Sequence, residues 1–403
     1  MSTVAREAYA ARLFVGREKQ INKVLDKARE LCQNRSEPSK GRVTIFSGEV
    51  GMGKTWLLQR IVEELDEQPY RDSLIIHTID LSKPSHSHAN TYDPVEHLRL
   101  VMRSFGEAVL SLSIQQETLP AASRQLIEAM NERLANRCLA LFIDEIYEAD
   151  WNFLELFEEY LLGPLAIDPR VLITMVGRGR RFPFSTPELR LFADSETLQP
   201  FDAGDIQALV ERLNATALID VDQIQSVSQG VPLTASFLAK HPDALHWPHA
   251  RLFDTMIAYM LERAPESLRK TLRAALEALA VLHSFRDEQM IQTLLTTYAQ
   301  TERGRSLLSP ERALPASDDL VRMLVYQGVA RYDVAFGAYV LDEHLHHLVK
   351  RFLQYCEPDQ HTWLALHRAA LRLFQAWTHQ YDDSKDRWIA AIQYHQEALA
   401  AQS

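Results

Sequence analysis

Cysteine is scarce in this chain: Cys32, Cys138 and Cys356 are its three cysteines in 403 residues. They lie too far apart in sequence for a disulfide framework or a Cys-x-x-Cys metal site. Reduced thiols in a cytosolic protein are the plain reading. Positive charge is not in excess either. A net charge of −11 excludes a large non-specific nucleic-acid surface and leaves room only for a local basic patch. No apolar run approaches the roughly 20 residues of a membrane span. Arg6, Glu7 and Arg12 interrupt the N-terminus, so no signal peptide is expected. No long internal repeat is visible. What is present is ordinary for a globular chain of two or three domains, with 46% hydrophobic and 24% charged residues. The 14 glycines are few, which draws attention to three that fall close together.

These three belong to Gly48-Glu49-Val50-Gly51-Met52-Gly53-Lys54-Thr55, which reads G-x-x-x-x-G-K-T. Glycines let such a loop turn so that successive backbone N–H groups face inward and cradle a β-phosphate. Lys54 would reach the β- and γ-phosphates, and the Thr55 hydroxyl would ligate Mg²⁺. The anion would sit at the positive end of the helix that opens at Lys54. The flanks agree: Arg42–Ser47 is short, apolar and β-branched, and Trp56–Leu65 has helical apolar spacing. A P-loop binding ATP or ADP with Mg²⁺ is the expectation, with Gly48 to Thr55 and Trp56 in contact with the nucleotide.

Strands and helices alternate from there. Strands are predicted over Ser73–Leu81, Leu139–Ile143 and Arg170–Val176. Helices are predicted around Val95–Leu112, Ala121–Ala135 and Phe153–Leu162. Continuous apolar strands separated by helices imply a parallel sheet covered on both faces. Beyond about Pro200 strands are expected to stop. The rest reads as helical, with one hairpin around Gly328–Asp333 and Gly337–Leu341, a loop over Arg303–Asp319, and about two helices in Gln360–Ser403.

The strand Leu139–Ile143 ejects Asp144 and Glu145 at its carboxyl end, where ligands bind in parallel sheets. Asp144 would hold Mg²⁺, through water, and Glu145 would orient or deprotonate the attacking water. The next strand leads to Arg178, with Arg180 and Arg181 behind it. A guanidinium there suits planar phosphate oxygens. Arg178 could act in cis as a sensor or in trans as a finger. For Arg180 and Arg181 a solvated basic turn is an equal alternative.

At this point the chain resembles a family, the signal-transduction ATPases with numerous domains, the STAND branch of AAA+-like P-loop proteins. Leu13-Phe-Val15-Gly16-Arg17-Glu18 looks like the segment that precedes their P-loop and packs on the adenine. Ile143–Asp150 is similar to their extended acidic motif. Leu198–Phe201, followed by Ile206 and Leu209, looks like the lid entry. Gln229-Gly230-Val231-Pro232-Leu233 resembles the Gly-x-Pro motif that closes over the base, which places Pro232 against the nucleotide. Leu320-Val-Arg-Met-Leu324 and the hairpin to Tyr339 look like a winged-helix domain. One departure stands out: many relatives carry Met-His-Asp in the winged helix, where this chain has Tyr339-Val-Leu-Asp-Glu-His344.

The resemblance implies an α/β P-loop NTPase with an AAA+-like parallel sheet, followed by an all-helical lid, a winged-helix domain and a short helical tail. The boundaries expected are 1–200, 201–265, 266–358 and 359–403. It implies a cytoplasmic molecular switch of STAND type that binds and slowly hydrolyses ATP, and that assembles with itself or with a protein partner in signalling or defence. A rival is a DNA-associated AAA+ ATPase of the origin-licensing or transposition-regulator kind; the acidic charge, and Gly-Val-Pro where such proteins would place a sensor arginine, count against it.

Histidines invite a metal reading but lack a ligand set. His344, His346 and His347 are read as belonging to a solvated amphipathic helix, and His86 and His88 to a solvated loop. Trp363, Trp377 and Trp388 fall on apolar helical positions and are expected to be core or partner-facing anchors.

Overall fold

The computed structural model describes residues 9–33, 42–67, 70, 72–81, 93–116, 118–134, 137–146, 151–178, 184–213, 220–262, 264–308, 316–333, 337–357, 360–380 and 385–400. The described residues divide into two units, within Ala8–Ala239 and Lys240–Ser403.

The first unit is a parallel sheet between helices. Helix α1 (Glu18–Gln33) precedes β1 (Val43–Gly48) and α2 (Lys54–Asp66). Then come β2 (Leu74–Asp80), α3 (Pro94–Leu110), α4 (Leu119–Leu134) and β3 (Cys138–Asp144). Helix α5 (Trp151–Phe157) runs through a π-turn, Glu158–Leu162, into α6 (Gly163–Ile167). Strand β4 (Val171–Arg178), α7 (Pro187–Phe192) and β5 (Ala193–Thr197) complete the sheet. The strand order is β2-β3-β4-β1-β5, and every described pairing is parallel.

Continuous apolar strands serve two cores because successive side chains point to opposite faces. Leu139, Leu141 and Ile143 pack with Val171, Ile173 and Met175 against α3, α4 and α5. The alternate residues Cys138, Ala140 and Phe142 pack with Leu172 and Val176 against α1 and α2. The sheet therefore cannot slip by one residue without exchanging its two cores.

Strand β5 is the element that the pattern did not announce. Its sequence, Ala-Asp-Ser-Glu-Thr, has no apolar side chain beyond Ala193. It is a half-exposed strand at the sheet edge, aligned with β1 from Val43↔Ala193 to Ser47↔Thr197. Lysines of α1 hold its acids: Lys23 reaches Asp194 and Glu196 at 3.0 Å each, and Lys27 reaches Asp194 at 3.3 Å. Charges aligned with an edge strand also discourage further pairing there.

Three helices end this unit: α8 (Ala203–Arg212), α9 (Val221–Ser228) and α10 (Pro232–Lys240). Helix α8 opens on a capping box between Asp202 and Asp205, a reciprocal pair that satisfies orphan N–H groups.

Among the described residues the second unit is helical with one hairpin. It holds α11 (His249–Met260), α12 (Glu266–Leu279), α13 (Glu288–Gln300), α14 (Glu302–Leu307) and α15 (Ser317–Tyr326). The antiparallel strands β6 (Ala330–Asp333) and β7 (Ala338–Leu341) follow, then α16 (Glu343–Tyr355), α17 (His361–Gln380) and α18 (Lys385–Ala400). The hairpin and the two tail helices stand where the sequence pattern puts them.

The loop expected over Arg303–Asp319 does not hold throughout, since Arg303–Leu307 and Ser317–Asp319 are helical. Arg303 is drawn in by Glu277, which is fully buried and also bonds Arg273 and the Tyr298 hydroxyl. His344 and His346 of α16 are not solvated either. His344 is buried, and His346 places Nε2 at 2.7 Å from the Ala280 carbonyl, with burial pushing its pKa down to about 4. No metal-holding cluster occurs among the described residues. His86 and His88 lie outside them. Trp363 and Trp377 are buried, and Trp388 packs on Trp377 and Phe374 at ring separations of 5.0 and 5.6 Å, as expected of core residues. None of the described helices is long and apolar enough to cross a membrane.

Candidate nucleotide site

The loop Gly48–Thr55 joins the carboxyl end of β1, which lies between β4 and β5, to α2. Gly51 and Gly53 hold φ of +83° and +79°, a region costly for side-chain-bearing residues. Gly51 is hemmed in as well: a Cβ there would stand 3.0 Å from both Val231 and Leu233. The Lys54 ammonium donates to the Gly48 and Glu49 carbonyls at 2.9 Å each, so it lies over the loop that it would share with a phosphate. Val50 and Met52 are buried beneath the turn.

The acids arrive from β3, two strands away. Thr55 donates its hydroxyl to Asp144 Oδ1 at 3.3 Å, and the Glu145 N–H donates to the same oxygen at 2.9 Å. Glu145 has φ of +57°, which turns the chain sharply off the strand end. Burial, then the neighbouring Glu145 and Asp80 charges, push the Asp144 carboxyl up to about 6. An all-oxygen pair of hydroxyl and carboxylate, carrying uncompensated negative charge, fits a hard divalent cation.

Arg178 ends β4 with its Cα in register with Gly48. The structure thus brings the backbone of the predicted arginine beside the first P-loop residue. Arg180 and Arg181 lie outside the described residues.

The segment before α1 also converges here. Val15 is buried, and Gly16 and Arg17 both adopt positive φ, +67° and +68°. The Arg17 guanidinium lies 5.1 Å from the Phe201 ring centre. Burial lowers its pKa, offset by the charges of Asp205 and Glu196. A Cβ at Gly16 would fall 2.5 Å from Asp205 Oδ1, so a side chain there would have to displace the Asp205 carboxylate and hold a positive φ. Trp56 takes the edge of Tyr9 at 5.3 Å.

Helix α10 touches the loop directly. The Leu233 N–H donates to the Gly51 carbonyl at 3.1 Å, and the Phe201 N–H to the Gly230 carbonyl at 2.7 Å. Val231 shares one core cluster with Phe14 and Met52. Pro232 is the first residue of α10, between Val231 and Leu233, where a missing N–H costs nothing.

Three participants escaped the sequence reading. Asp80 is the register partner of Asp144; its signal was an apolar strand ending in Asp, as β3 does. Phe201 was read as lid entry without a role under Arg17. Asp205 was not singled out, and nothing in the sequence tied it to Gly16 and Arg17.

Residues 36–178 match the family profile of an AAA domain, and the sheet with its P-loop has the AAA+-like fold. No curated protein matches the chain. Among solved structures, an Aeropyrum pernix ORC1 protein in complex with DNA is similar at 11% identity and TM-score 0.48, over 84% of this chain and 92% of that one. A Thermotoga maritima RuvB Holliday junction branch migration motor is similar at 16% identity and TM-score 0.37, over 85% and 97%. A Pyrococcus horikoshii signal transduction ATPase with numerous domains, with a tetratricopeptide repeat sensor, is similar at 14% identity and TM-score 0.35, over 98% of this chain and 54% of that one.

Proposed function

We propose that this chain is an ATP-dependent molecular switch of STAND type, which binds and slowly hydrolyses ATP to control domain orientation, self-assembly or recruitment of a protein partner. The observation that carries the reading is the hydrogen bond from Leu233 to the Gly51 carbonyl. It ties the helical lid to the loop that would hold the phosphates, so occupancy of one can bias the other.

In this reading the loop from Gly48 to Gly53 cradles the phosphates with its N–H groups, and Lys54 leaves the Gly48 and Glu49 carbonyls to pair with phosphate oxygen. Thr55 and Asp144 hold Mg²⁺, which when bound would offset charge on the phosphates. Glu145 orients a water and accepts its proton. Arg178 meets the γ-phosphate, in cis or from a neighbouring protomer. Val15, Gly16, Arg17, Trp56 and Pro232 enclose the base, and Pro232 supplies a rigid apolar wall. Residues 201–265 act as the lid, 266–358 as a winged-helix-like module and 359–403 as the tail.

Calorimetry tests the foundation. Lys54→Ala is expected to weaken ATP–Mg²⁺ binding by about 1.5–3 kcal/mol or more; unchanged affinity would remove the P-loop assignment. Mass measurement with and without ATP tests the output, and a monomer under every nucleotide condition, with no partner bound, leaves a self-contained ATPase. The β6–β7 hairpin behind α15 favours a second reading, a DNA-associated AAA+ ATPase. Asp318 and Asp319 in the first turn of α15 oppose it. Salt-dependent DNA binding would decide for it.

A further inference from the structure

The tail hairpin closes on a pair of histidines. His367 of α17 and His395 of α18 are 0% and 1% exposed, and their Nδ1 atoms stand 2.8 Å apart. That distance is a hydrogen bond with a single proton between the two nitrogens. One imidazole donates and the other accepts, so at most one ring can carry a charge while the bond stands. His367 Nε2 is buried without a hydrogen-bond partner. A further proton has no acceptor to meet there, and a proton on both Nδ1 atoms would set two N–H groups against each other.

Among the described residues no anion meets the pair. Trp363 contacts the His367 ring at 4.3 Å, and Phe374 stacks on His395 at 5.5 Å. The titratable groups facing the pair are Lys350 from α16, His283 from the turn after α12, and Tyr394 from α18. Lys350 repels a charge on His367 and His283 one on His395; no carboxylate among the described residues acts on either ring. Helix α13 contributes the neutral Gln289, bonded to Trp377 at 3.4 Å.

We propose that the His367–His395 pair is an acid-operated latch, whose protonation releases α18 from α17 and bares the aromatic seam of Phe374, Trp377 and Trp388. Helix α18 is the element whose departure returns both rings to water. Burial and like charge hold the pair down to about 3 and 4 in the closed state, against an ordinary value of about 6.5 once exposed. A histidine kept neutral when closed and free to charge when open favours opening as pH falls below its open-state value. Between pH 7.5 and pH 5 each histidine multiplies the opening constant by about 30, and the two together by about 10³. The proposal does not depend on the nucleotide reading.

Amide hydrogen exchange over α18, corrected for intrinsic exchange rates and read between pH 7.5 and 5 on the full chain, tests it. The opening constant of α18 is expected to rise about 10³-fold while β1 and β3 stay protected. In His367→Phe/His395→Leu the rise is expected to vanish. A rise of less than tenfold in the wild type, or opening of α18 only together with α12, α13 and α16, would overturn the latch. An unchanged rise in the double variant would overturn it too. Should that variant fail to fold, the ring carbons of the wild-type histidines, followed by NMR, decide the matter: both rings must remain neutral in the closed state at pH 5.5, and a charged ring there would overturn the latch.

Discussion

Replacing Asp144 by asparagine should make the protein without nucleotide more stable, although it removes a residue central to its proposed chemistry. Asp144 is 8% exposed. Its neighbours are like charges, Glu145 and Asp80, and its hydrogen bonds come from Thr55 and the Glu145 N–H. Raising its pKa from 3.8 to about 6 means that the ionised form is disfavoured in the folded state by about 3 kcal/mol, at roughly 1.36 kcal/mol per pH unit. Asparagine keeps the Oδ1 acceptor for both hydrogen bonds and discards the charge.

The penalty is fully present above pH 6, shrinks as pH falls and is gone below about 3.8, where the carboxyl is protonated folded or unfolded. For a unit of this size, about 3 kcal/mol corresponds to a Tm higher by roughly 6–12 °C at pH 8. Differential scanning calorimetry in EDTA, at pH 8 and again at pH 4, reads the gain and its disappearance. Adding ATP with Mg²⁺ should reverse the order, because ligand at 1,000-fold over its Kd stabilises the wild type by about 4.1 kcal/mol and the variant by little. A Tm at pH 8 that is unchanged or lower in Asp144→Asn would refute the reasoning, and so would a gain of equal size at pH 4.

Glu145→Gln is expected to retain ATP affinity and lose turnover, because the amide cannot accept a proton from water; hydrolysis at the wild-type rate would displace Glu145 from that role. Gly230→Ala should cost at least about 2 kcal/mol, since φ is +73° and the new Cβ would lie 2.4 Å from the Phe201 carbonyl. Limited proteolysis of the lid helices, and weaker nucleotide binding, would register it. Glu277→Gln leaves the buried Arg273 and the half-buried Arg303 only the half-exposed Asp254 to share and should destabilise the Lys240–Ser403 unit by about 3–5 kcal/mol. Urea unfolding that shows a loss under about 1 kcal/mol would mean that the two guanidiniums find other partners.

The sheet and the phosphate loop were legible because local chemistry decides them. Leu139–Ile143 is apolar at every position, so it could only be a strand buried on both faces. The spacing from Gly48 to Thr55 suits few structures other than a phosphate cradle. Asp144 and Glu145 could be assigned because they end that buried strand, where a polar side chain must leave the core. The tertiary structure decided what depends on partners distant in sequence. Strand β5 has no apolar side chain after Ala193, and it exists because β1 offers an open edge and Lys23 and Lys27 meet its acids. Arg303 is helical because Glu277, fixed on another helix, needs a second cation. Arg17 is set beside Asp205 and over Phe201 by the return of α8 to the sheet, across nearly two hundred residues. His367 and His395 were ordinary positions on two amphipathic helices until those helices folded face to face. Composition and periodicity record what each segment must bury; which charge or ring it meets there is set by the packing of the whole chain.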